Sequence, residues 1–279
     1  MKALAELYLQ QFKTTMAMMF QYRASLLIWM IGQVLEPLIY LIVWSAVSTS
    51  AGGSVGSYTT RDFAGYFVVL MFVNQFSYTW IMYEFEYRIR EGLLSFALLK
   101  PVHPIHSDIA DNVSSKLITL PAMTIIAIGL AAAFHASISP QPWAVLVFIP
   151  VLLMAFIMRF LLEWTLALVA FWTTRVSAIN QTYFVLMLFL SGQIAPLTLL
   201  PYPVQIMADI LPFRWMIGFP VELLMGKLSP VEALIGLGAQ AAWILAGFVL
   251  LRIVWKAGTK VYSAVGACTS SACLLPFLR

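Results

Sequence analysis

The chain has 279 residues, of which 62% are hydrophobic and only 10% charged, and its mean hydropathy is +0.90. One soluble core cannot enclose that much apolar surface, so the composition predicts an all-α polytopic membrane protein. A net charge of +4 does not indicate nucleic acid, because the basic residues recur beside the ends of apolar runs instead of forming one stripe.

The first stretch, residues 2–22, places Leu4, Tyr8, Phe12, Met16, Met19 and Phe20 on one side of a helix and Lys2, Glu6, Gln10, Lys13 and Gln21 on the other. That pattern predicts an amphipathic helix lying in the membrane interface; its bland counterpart is an ordinary amphipathic helix of a soluble subdomain. The start lacks the uninterrupted apolar block of a signal peptide and is expected to stay in the mature protein.

Six spans are expected, at about 24–47, 63–83, 117–134, 143–172, 176–195 and 233–255. Pro121 bends the third, and the fourth is long enough to tilt or project beyond the bilayer. Between the fifth and sixth, residues 196–227 carry Pro196, Pro201, Pro203, Pro212 and Pro220 together with Asp209, Arg214 and Glu222. This stretch is expected to dip back into the outer leaflet as one or two half-helices, covered by protein or a wet cavity. In the sixth span, Gly236, Gly238, Ala242 and Ala246 would admit a neighbouring helix. The last residues, 268–279, hold Cys268 and Cys273 but show no periodicity, and are expected to be a disordered or artefactual tail.

Charge sets the orientation. With both termini in the cytoplasm, twelve Lys and Arg residues, among them Lys2, Lys13, Arg88, Arg90, Lys116, Arg175 and Lys256, lie inside, against Arg61, Arg214 and Lys227 outside. The segment 84–106 is then cytoplasmic. It holds three acids, three Lys or Arg and two His in 23 residues, with a seven-residue apolar centre, Leu93 to Leu99, too short to cross a bilayer. A pair of short helices is expected there, broken at Gly92 and stopped by Pro101 and Pro104.

Enzyme machinery is missing from the sequence. Gly52, Gly53 and Gly56 lack the lysine of a phosphate-binding loop, and no nucleophile-elbow or zinc-protease motif is present, so no catalytic residue is expected. His103 and His106 have ligand spacing but no further His or Cys beside them, and no metal is expected. Arg159 and Glu163 sit one helical turn apart within the fourth span and are expected to pair, either as a structural lock or in substrate coupling. Glu36, before Pro37, has no partner in its own helix; it faces a polar cavity, pairs with another chain, or carries a proton. Asn74, Gln75, Asn180, Gln181 and Gln193 suit a translocation path and equally suit interhelical hydrogen bonds. Segment 84–106 likewise reads as a point where force enters or as a solvated frame.

Four stretches fit one family. R-I-x-E-G-L-L-S-x-x-L-L-K-P-x-H-P from Arg88 to Pro104, F-W-T-T-R from Phe171 to Arg175, S-G-Q-I-A-P-L-x-x-L-P from Ser191 leading to L-P-F at Phe213, and Y-S-A-V-G-A from Tyr262 to Ala267 occur in an order that resembles permease subunits of type-2 ATP-binding-cassette (ABC) exporters, in particular a bacterial branch of them. The resemblance, which runs from about residue 1 to 267, implies a six-span permease forming a single transmembrane domain over residues 1–267 in the bacterial inner membrane. It also implies a coupling helix within Glu91 to Lys100 that docks on a separate ATPase subunit. Arg88, Arg90, Glu91, Gly92, Leu93, Leu94, Leu98, Leu99 and Lys100 would carry that coupling. It also implies a second permease, of the same or a different chain, contact with membrane lipid, and ATP and Mg used only by the partner. An ion- or proton-coupled carrier or channel working through Glu36 and the Arg159/Glu163 pair is the alternative, and a membrane scaffold without transport a third reading.

Overall fold

Local signals place the helix starts. Thr59 and Asp62 form a reciprocal capping box, as do Ser229 and Glu232 with Pro230 in the first turn, and each opens a long helix. The computed structural model describes residues 2–173 and 176–262, and among these it is helical apart from loops and one small antiparallel ladder, β1 (Ser54–Val55) with β2 (Tyr58–Thr59).

Helix α1 (Lys2–Gln21) is separated from α2 (Arg23–Ser50) by Tyr22 alone. Then follow α3 (Thr60–Ser77), α4 (Ile81–Arg90), α5 (Leu93–Leu98), α6 (Ile105–Ala133) and α7 (Pro142–Ala167), which tightens into a 3₁₀ turn at Leu168–Phe171. The rest is α8 (Ser177–Leu190), α9 (Tyr202–Ile210), α10 (Pro212–Met216), α11 (Gly218–Leu224) and α12 (Pro230–Val261). Among the described residues, four helices are long and apolar enough to cross a membrane: α2, α6, α7 with its 3₁₀ turn, and α12.

The shorter α3 is the hub. Every residue from Phe63 to Met71 is buried, so protein surrounds it on all sides, with α2, α6, α7 and α11 as its walls. Trp44 stacks on Phe63 with ring centroids 5.2 Å apart, and the Tyr66 hydroxyl donates to the Gly192 carbonyl at 2.8 Å. In contrast α2 buries only the stripe Met30, Pro37, Leu41 and Ser48 against this hub, and presents Ile28, Ile31, Ile39 and Ile42 outward. Helix α12 runs along α7, and α1 lies on the first half of α6.

The helix bounds differ from the expected spans in four places. The stretch expected as one span at 63–83 is two helices, because Tyr78–Trp80 leaves the helical path without any Gly or Pro. The helix expected at 117 begins at Ile105, since Pro104 supplies its start. The fifth ends at Leu190, where Gly192 takes a positive φ of 89°. Residues 196–227 form three short α-helices and a 3₁₀ turn instead of one or two half-helices; the prolines at the first turns of α9 and α10 start helices there. Of the small residues in α12, Gly236 takes the Phe219 ring of α11, while Gly238 faces open space and Ala242 and Ala246 are exposed. Arg175, most of Tyr262–Ala267 and the tail 268–279 lie outside the described residues.

Candidate functional site

Two clusters of polar residues stand out in the bundle. The first is built on α4, α5 and the start of α6. Gly92 adopts the left-handed conformation (φ 71°), which lets α4 end and α5 begin at once. On α5, Leu94 is fully buried while Leu93, Phe96 and Leu98 are exposed, and the following Leu99 is 83% exposed. Arg90, Glu91 and Lys100 surround that apolar knob, all exposed. The knob is held firmly from behind. Arg88 reaches Glu84 at 3.1 Å and Asp108 of α6 at 2.6 Å, and Asp108 in turn accepts the Trp164 indole N–H of α7 at 2.9 Å. Burial opposes the Arg88 charge, but Asp108 and Glu84 outweigh it and raise the guanidinium above its ordinary value. Ser95 and Tyr262 share a hydroxyl–hydroxyl hydrogen bond of 2.9 Å, which ties α5 to the residue after α12.

His103 closes this region. Its ring lies 4.5 Å from Trp255 and 5.8 Å from Trp164, and its Nδ1 accepts the Ile105 N–H at 3.2 Å. Burial, then His106, pull its pKa below the usual histidine value against the opposing pull of Asp108. His106 instead faces α1, with Nδ1 at 3.5 Å from the Tyr8 hydroxyl, so the two histidines have separate surroundings.

The second cluster sits where α3 breaks. Arg159 and Glu163 pair at 2.7 Å on α7, only 2% and 1% exposed. Arg159 also donates to Asn74 at 2.8 Å and Ser77 at 3.1 Å, and its guanidinium lies 5.3 Å from the Tyr78 ring centre. Glu163 accepts from the Thr79 hydroxyl and, at 3.2 Å, from the Tyr183 hydroxyl of α8. From α6, the Lys116 ammonium donates to the Tyr78 carbonyl at 2.5 Å and lies 5.0 Å from the Phe156 ring centre. The interrupted backbone is therefore given polar partners from other helices, which chain that leaves the helical path inside a protein requires.

The expected path residues do not converge. Asn74 belongs to the ion cluster, whereas Gln75 turns to α6 and donates to Thr119 at 3.0 Å. Asn180 is buried at the start of α8, and its side-chain amide has no hydrogen-bond partner among the described residues. Gln181 is exposed beside it, Gln193 is half-buried in the turn after α8, and Glu36 is exposed on α2.

The model of the ABC-2 family transporter proteins matches residues 34–266. The chain belongs to this family. No curated protein and no solved structure matches it. It is thus an ABC-2 type permease subunit, a multi-pass membrane component of an ABC transporter that works with an ABC ATPase subunit.

Sequence reasoning overlooked several residues of this permease. Lys116 reads as an ordinary flank of the third span, and Thr79, Tyr183 and Trp164 read as span residues. A signal for the first cluster was present: continued in helical register from Ile105, the sequence puts Asp108, Asn112, Ser115 and Thr119 on one polar face.

Proposed function

We propose that this permease crosses the bacterial cytoplasmic membrane six times, with α3 and α8 as the two further crossings and both termini in the cytoplasm. It forms an export path with a second permease, and receives force from the ATPase through α5. The carrying observation is the knob of Leu93, Phe96 and Leu99: apolar, exposed, and fixed at its back to α6 and α7 through Arg88, Asp108 and Trp164. An exposed apolar patch rimmed by charge suits a protein partner. A load applied there reaches α6 and α7 directly. Charge asymmetry supports the orientation, and the short helices of 196–227 suit an outer re-entrant cap. ATP and magnesium belong to the partner. Arg159 and Glu163 are read as a lock between α3, α7 and α8, since each is held by more than one helix.

The test is co-reconstitution with its ABC ATPase subunit. Gly92→Pro, Arg88→Glu and Arg90→Glu are expected to abolish or strongly reduce the permease-dependent part of ATP hydrolysis and transport, at normal membrane levels. Unchanged coupling in all three variants rejects α5 as the point of entry.

A further inference from the structure

At the α5 end, a groove of about 710 Å³ runs between α6, α7 and α12. Its rim carries His103, His106, Arg252 and Lys256, and no carboxylate lines it; Asp108, on the same stretch of α6, is held by Arg88 and Trp164. Arg252 and Lys256 lie one helical turn apart, are exposed, and take part in no ion pair among the described residues. The Arg252 guanidinium rests 4.4 Å from the centre of the Phe248 ring, which also lines the groove. Below this rim the lining is aromatic and aliphatic, with Phe248 and Ile157 exposed. A small soluble anion satisfies the rim and leaves the trough wet. A neutral lipid fills the trough and leaves the cations unmatched. A molecule with a phosphate and an acyl chain satisfies both.

We propose that this groove binds one anionic phospholipid of the leaflet at the α5 end, its phosphate held by Arg252 and Lys256 and one acyl chain lying along Phe160 and Phe248. The site has a mechanical consequence. His103 belongs to the connection between α5 and α6 and packs against Trp255 of α12, so a lipid seated here bridges the knob's support and the last helix.

The test uses the permease alone in detergent, which keeps it independent of the ATPase. Native mass spectrometry follows retention of added phosphatidylglycerol, with phosphatidylcholine of the same chains and glycerol phosphate as separate arms. Wild type is expected to retain phosphatidylglycerol selectively. The pair Arg252→Gln and Lys256→Gln is expected to weaken that retention at least tenfold, and the charge-matched pair Lys13→Gln and Arg23→Gln less than twofold. The charge-keeping pair Arg252→Lys and Lys256→Arg, which guards against a folding defect, is expected to retain the lipid. Equal loss in both glutamine pairs, equal retention of phosphatidylcholine, or equal binding of glycerol phosphate overturns the proposal.

Discussion

The ion cluster at the break of α3 and the knob on α5 are both islands of unusual composition, and they use it in opposite ways. Around Arg159 the charges are inside, and neighbouring side chains from three helices share them. Around Leu99 the charges are outside, and it is the leucines and a phenylalanine that lack partners. Burying charge is costly unless every partner is present, so the first island tolerates change poorly. Exposing an apolar knob costs the isolated chain little, so the second can be tuned for a partner without disturbing the fold.

That contrast is broken most severely at Arg159. Arg159→Met leaves Glu163 buried and uncompensated and is expected to lower stability by about 3–5 kcal/mol, read as thermal unfolding in detergent. Adding Glu163→Leu is expected to recover part of the loss, because no lone charge then remains; a double variant as unstable as the sum of the singles would show that the pair is not one unit.

Next comes a comparison of two leucines five residues apart. Leu94→Ala empties a fully buried site and is expected to cost about 2–5 kcal/mol. Leu99→Ala at 83% exposure is expected to change stability by about 0.5 kcal/mol or less while reducing capture of the ATPase. Equal effects on both measurements would erase the distinction between support and contact surface.

The smallest expected effect is that of pH on His103. Its folded pKa lies below the ordinary value of about 6.5, so the folded state favours the neutral ring. Its contribution is therefore present above that ordinary value and is lost as pH falls through the folded one. The melting temperature is expected to drop from pH 7.5 to 5.5 more in wild type than in His103→Gln.

Much of this was legible in the sequence. Apolar runs locate α2, α7 and α12, the capping boxes mark the starts of α3 and α12, and Gly92 with Pro101 and Pro104 brackets α5. The Arg159 and Glu163 pair follows from spacing alone. The break at Tyr78–Trp80 does not, because its cause is tertiary: Lys116, Glu163 and Arg159 come from other helices and offer the chain better partners than a continued helix would. The same holds for Asp108, whose role depends on Arg88 and Trp164 arriving from two directions. The amides do not form one group, since adjacent residues on a helix face different neighbours, and Asn74 and Gln75 do so here.

The enclosure of α3 bears on how the protein is made. This helix carries Arg61, Asp62, Asn74 and Gln75, and it is absent from the four helices that are apolar enough to span on their own. On the six-crossing reading, it leaves the ribosome immediately after α2, well before α6 and α7 exist to wall it in. Its entry into lipid is then weakly favoured until those later helices are synthesised. A helix enclosed in this way depends on the rest of the chain for its insertion.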